Sequence, residues 1–166
     1  MKEQSRKQIV WIFFVLSLGW MGLIFFFSAQ PAIKSAELST KTVDWILSPS
    51  PKGSILQHLI QKLQALDGKG ILEFLVRKLA HAVEYGVLAV LLGITIRFSR
   101  RWNQKWQIKT ILLCWLYACT DEFHQLFVPG RAGQVRDVII DTVGAIFAVL
   151  VIGLFFIFLE RKRQYF

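Results

Sequence analysis

Four apolar runs in this chain are each long enough to cross a lipid bilayer, and three of them carry ionisable side chains at one end. The runs cover about residues 9–28, 71–96, 108–128 and 138–159. A hydrocarbon core about 30 Å thick takes roughly 20 helical residues. The first run has no charge from Ile9 through Ala29. The second holds Lys78, His81 and Glu84 in its first half and is uncharged from Gly86 to Ile96. The third turns polar at Asp121, Glu122, His124 and Gln125. The fourth begins with Asp137 and Asp141 and is uncharged from there to Leu159. Ionisable groups inside a membrane cost several kcal/mol each unless they face a protein interior or a watery cavity. Their position is therefore the strongest constraint on the fold.

The chain has 166 residues, of which 54% are hydrophobic, above the share of an ordinary soluble domain. Its 14 Phe and 6 Trp suit lipid-facing surfaces and membrane interfaces. The net charge of +9 does not imply nucleic acid, because the charges cluster beside the apolar runs, where topology and anionic lipid explain them. Eleven of the 20 Lys and Arg residues lie in three short stretches: the N-terminus, the segment Arg97–Lys109, and Arg161–Arg163. The positive-inside rule puts these on the cytoplasmic side. This yields a multi-pass plasma-membrane protein with both termini cytoplasmic and the segments 29–70 and 128–136 outside. The first run is longer than a signal-peptide core and is expected to persist as a helix.

The expected fold is all-α: four transmembrane helices and an interfacial amphipathic helix in the first outer loop. Within that loop Ile55, Leu56, Leu59, Ile60, Leu63 and Leu66 recur at helical spacing, between Ser48–Pro51 and Gly68–Gly70. Cys114 and Cys119 fall inside an apolar run and read as buried thiols, with neither a disulfide nor a metal site implied.

With this topology every unusual polar group lies in the outer half of the membrane. Lys78, His81 and Tyr85 form one stripe, Asp121 shares a face with Gln125, and Asp137 shares one with Asp141. These stripes, with Ser28 and Gln30, would meet in one cup. At these residues the chain resembles the VanZ-like family. The resemblance rests on Lys78-x-x-His81-x-x-Glu84-Tyr85, on Asp121-Glu122-Phe123-His124-Gln125-x-x-Val128-Pro129-Gly130-Arg131, and on Asp137-Val138-x-x-Asp141-Thr142-x-Gly144. Phe27-Ser28-Ala29-Gln30-Pro31 is similar too. The family often has Asn where this chain has Asp141. The resemblance implies a small multi-pass bacterial membrane protein, related to one associated with resistance to the glycopeptide teicoplanin.

Three functions fit. The first is an envelope protein that binds or modulates a membrane lipid or lipid-linked cell-wall intermediate. Its ligand-binding candidates are Lys78, Tyr85, His124, Gln125, Arg131, Asp137 and Asp141, with Arg131 as phosphate anchor. The second is a membrane enzyme acting on a lipid head group. His81 would be its acid or base, oriented by Glu84 or Asp121, with Glu122 a further catalytic candidate. No nucleophile is evident for it. The third is a small transporter or flippase using the carboxylates as relays. No cofactor is implied. Neither His81 with Glu84 nor His124 with Asp121 has a strong zinc spacing, and Lys78 would oppose a cation. Oligomeric state is not encoded in any pattern seen. The structural alternatives are a neutral Lys78–Asp121 pair, an Arg131–Asp137 loop clamp, and Gly144 as a packing residue.

Overall fold

The computed structural model describes residues 3–47, 68–99 and 105–164. Its regular elements are all helices: α1 (Glu3–Ser28), α2 (Ala32–Leu47), α3 (Gly68–Phe98), α4 (Trp106–Gln125) and α5 (Val135–Gln164). Three stretches, Glu3–Ser28, Gly70–Phe98 and Val135–Lys162, are long and apolar enough to cross a membrane. The third expected span corresponds to α4, whose 20 residues include Lys109, Asp121 and Glu122 and which does not reach that standard by composition.

Two expectations change. Segment 29–70 was expected to hold one helix, near residues 55–66; instead α2 occupies Ala32–Leu47, and Gly68–Gly70 forms the first turn of α3 rather than a break. Pro31 explains the α1–α2 boundary. It disfavours helix in the residue before it, and its fixed φ suits the start of the next helix. The proposed interfacial helix from Ile55 to Leu66 lies outside the described residues. The third apolar run also stops earlier than expected, because the chain leaves α4 at Gln125 and turns through 126–134.

α3 is the central helix, and α5 packs along it most extensively. The two run parallel: Lys78 meets Asp137 near their starts, Gly86 lies beside Gly144 and Ala148, and Arg97 meets Glu160 near their ends. The close approach depends on small residues. A Cβ on Gly144 would overlap the Ala82 carbonyl and lie 2.8 Å from the Ala82 Cα. Small side chains at such contacts let helix backbones gain dispersion energy where lipid supplies no hydrophobic drive. α1 and α4 run the opposite way. Trp20 Nε1 donates to the Glu84 carbonyl at 2.9 Å, and the Tyr117 hydroxyl donates to the Met21 carbonyl at 2.6 Å. The core between the helices holds Tyr85, Leu88, Ala89, Cys114, Ala118, Ala145 and Val149. Cys119, expected to be buried, is only half-buried.

The outer faces are apolar. Large residues such as Trp11, Phe26, Phe147 and Leu154 stand 66%, 59%, 69% and 68% exposed. A water-soluble monomer does not display apolar surface on this scale, so the bundle's surroundings are lipid. The chain is a membrane protein. The helix directions bring the end of α1, the start of α3, the end of α4 and the start of α5 to one end of the bundle, where α2 covers α3. Thr40 donates to Glu73 Oε1 at 3.0 Å, and Val43 of α2 is buried.

Candidate functional site

The loop between α4 and α5 organises this end. Val128, Pro129, Gly130 and Arg131 form a tight turn closed by the Arg131 N–H on the Val128 carbonyl at 3.0 Å. Gly130 has φ +74°, as the third position of a type II turn requires, and Pro129 fits the second. The turn carries Arg131 to the exposed C-terminus of α1. There Nε donates to the Gln30 carbonyl at 3.1 Å and Nη2 to the Phe27 carbonyl at 3.5 Å. A cation at a helix C-terminus opposes the partial negative charge of its last carbonyls. The Ala32 N–H in turn donates to the Pro129 carbonyl at 3.3 Å. Arg131 does not clamp Asp137, as the structural alternative had it.

Asp137 pairs with Lys78, Nζ to Oδ1 at 2.5 Å, with side chains 13% and 10% exposed. Sequence reasoning had offered Asp121 as the partner of Lys78. The parallel register of α3 and α5 selects Asp137 instead. His81 lies deeper, its Nδ1 3.9 Å from both Glu84 Oε2 and Asp141 Oδ1. Gln125 Nε2 donates to Asp121 Oδ2 at 3.2 Å and to Glu122 Oε1 at 3.0 Å. Glu122 Oε2 accepts from the Gln134 N–H at 2.8 Å. Both Glu122 oxygens are thus occupied, Oε1 by Gln125 within α4 and Oε2 by the entry to α5.

Two adjoining cavities open at this end. The larger, about 550 Å³, lies between α1, α2 and α3. Its walls include Ile24, Phe26, Phe27, Leu38, Val76 and Ala80, and its polar groups include Arg77, His81, Glu84, Asp121 and Arg131, with Lys34, Glu37 and Lys41 from α2. The smaller, about 160 Å³, is lined by Lys78, Gln125, Asp137 and Gln134 among others, and shares Ser35, Arg77, His81 and Arg131 with the first. The candidate residues therefore fall into groups. Lys78, His81, Glu84, Asp121, Gln125, Arg131 and Asp137 line one cavity or both. Glu122 faces the α4–α5 junction. His124 stacks on Phe25, with ring centroids 4.3 Å apart. Tyr85 and Asp141 are wholly buried, 0% exposed, in the bundle interior. The Tyr85 hydroxyl, His81 Nδ1, Asp121 Oδ1 and both Asp141 oxygens make no hydrogen bond among the described residues.

Arg77 is the wall residue that sequence reasoning passed over. Its Nη2 donates to Ser39 Oγ at 3.3 Å. It lies in the second apolar run directly before Lys78, so its charge in an apolar context was the available signal. Arg77 is also close to Arg131. Burial first, and then the charge of Arg77, draw the Arg131 pKa below the usual guanidinium range, while Asp121, Glu122 and Glu84 counteract them. Two guanidinium groups at one cavity favour an anion as a shared counter-ion. Among the described residues no three His, Cys, Asp or Glu side chains gather as a metal site.

No curated protein and no solved structure matches the chain. A protein-family model described as VanZ/LLP1 matches residues 13–157, nearly the whole length. The match takes in most of α1, all of α2, α3 and α4, the Pro129–Gly130 turn and most of α5, so the chain belongs to the VanZ/LLP1 family.

Proposed function

We propose that this protein crosses the plasma membrane four times, with both termini cytoplasmic, and binds the head group of a membrane lipid or lipid-linked cell-wall component at the outer leaflet. At about 1.5 Å per residue α4 is roughly 30 Å long, enough for a fourth span. The polar end of α4 is shielded there by α1, α3 and α5. The described basic residues Arg6, Lys7, Arg97, Lys105, Lys109, Arg161 and Lys162 all belong to the opposite end of the bundle, which supports a cytoplasmic assignment.

The observation that carries the binding reading is the larger cavity, with apolar walls and with Arg77 and Arg131 at its polar face. Ligand sites are typically concave and mostly apolar, with a few convergent polar groups. The association of one member of the family with teicoplanin resistance supports a cell-envelope setting and makes a lipid-borne wall component one candidate ligand. The test is lipid retention by native mass spectrometry. Arg131→Lys keeps the charge but loses the planar fork. It is expected to unfold within a few degrees of the native protein while retaining much less lipid. Undiminished retention in the Arg131→Lys protein would sink the anchoring role.

A second reading has its own observation. His81 Nδ1 lies equally near Glu84 and Asp141, as an acid–base histidine oriented by carboxylates would. Turnover of a lipid head group that is lost in His81→Ala, with lipid retention kept, would favour the enzyme.

A further inference from the structure

The larger cavity is lined by charges of both signs, and these define its ligand more narrowly than its volume does. Arg77 and Arg131, with Lys34 and Lys41, are its basic groups, and Glu84 and Asp121, with Glu37, its acidic ones. Arg77 and Glu84 lie seven positions apart on α3, hence on nearly the same face and about 10 Å apart along the axis. Four polar atoms on residues lining the cavity are buried without a hydrogen-bond partner among the described residues: Ser28 Oγ, Arg77 Nε, His81 Nδ1 and Asp121 Oδ1. Asp121 itself is only 3% exposed. Buried donors and acceptors are costly to leave unmade. The set calls for a ligand with an anionic acceptor at one end and a cationic N–H donor at the other.

We propose that the cavity takes the head of an ethanolamine phospholipid, with the phosphate on Arg77 and Arg131 and the primary ammonium on Glu84 and Asp121. The acyl chains leave past Phe26 and Leu38, which line the cavity and are 59% and 61% exposed. A glycerol head brings no positive charge to the two carboxylates. A choline head brings the charge without an N–H to donate. The proposal rests on the lipid-binding reading above and specifies its ligand.

The test uses the full chain in mixed micelles containing equal parts of phosphatidylethanolamine, phosphatidylglycerol and phosphatidylcholine with identical acyl chains. Retained lipid is identified by native mass spectrometry. The expected result is retention of the ethanolamine lipid about tenfold over either competitor, equivalent to about 1.4 kcal/mol. Glu84→Gln should bring the three lipids close to parity; the Trp20 bond to its backbone carbonyl survives this change. Arg77→Lys should lower the retention of all three. Equal retention of ethanolamine and glycerol lipids by the native protein would overturn the proposal while leaving lipid binding intact. An unchanged preference in a folded Glu84→Gln protein would also overturn it. Retention of no lipid at all would overturn the lipid-binding reading itself. The comparison among lipids needs no substitution, so it stands even if a variant fails to fold.

Discussion

Removing one partner of the Lys78–Asp137 pair should destabilise the bundle far more than removing both. The side chains are 13% and 10% exposed, so each charge depends on the other for most of its compensation. Asp137→Asn leaves Lys78 facing a neutral amide. It also strips a carboxylate from Arg136, whose Nε lies 4.0 Å from Asp137 Oδ1. Lys78 and Arg136 both approach the ring of Phe74, at 5.4 and 5.2 Å from its centroid, so two cations would then share one aromatic ring with no carboxylate between them. Breaking a buried pair typically costs about 3–5 kcal/mol. For a chain of this size that corresponds to a fall in Tm of roughly 6–20 °C. Lys78→Gln alone should cost less, because Arg136 remains near Asp137. The double change Lys78→Gln, Asp137→Asn restores a neutral pair able to hydrogen-bond and should recover most of the loss. Thermal unfolding of the four proteins in one detergent measures the coupling. A loss below about 1 kcal/mol for Asp137→Asn, or a double variant no better than the sum of the singles, would refute the argument that this pair is buried and mutually dependent.

Gly144→Ala should separate α3 from α5, because its Cβ meets the Ala82 backbone, which no side-chain rotamer can relieve. A marked drop in folded protein by size-exclusion chromatography is expected, and a normal profile would mean the helices pack less closely than described. Topology is open to direct labelling. A cysteine introduced at Lys105, in a background lacking Cys114 and Cys119, should resist an impermeant maleimide in intact cells and react after permeabilisation. Labelling in intact cells would reverse the orientation.

The long apolar runs made α1, α3 and α5 legible, since little but a membrane accommodates such uncharged stretches. The level of the polar groups was legible too, because their positions at alternate ends of successive runs follow from up-and-down helices. The pairing of those groups was not. Lys78 finds Asp137 rather than Asp121 because α3 and α5 run parallel in a register set by Gly144 against Ala82, and the sequence of either helix alone does not carry that register. Helix α2 was missed because it buries little of itself: Val43 and Ser39 are buried, while Ile33, Leu38 and Trp45 stand 75%, 61% and 78% exposed. Its apolar positions do not form the clean stripe seen at residues 55–66. Without α2 the larger cavity has no second wall, and Arg77 then looks like a surface charge beside the more conspicuous Lys78–His81–Tyr85 stripe.

The central claim is that the space between α1, α2 and α3 holds lipid. A photoreactive benzophenone side chain placed at Leu38, on the cavity wall, tests it against the same probe at Phe147, on the open face of α5 and 69% exposed. After purification in detergent and irradiation, the probe at position 38 should form a covalent adduct with the mass of a phospholipid, and the probe at position 147 should not. No adduct at either position, or equal adducts at both, would contradict a lipid held in the cavity.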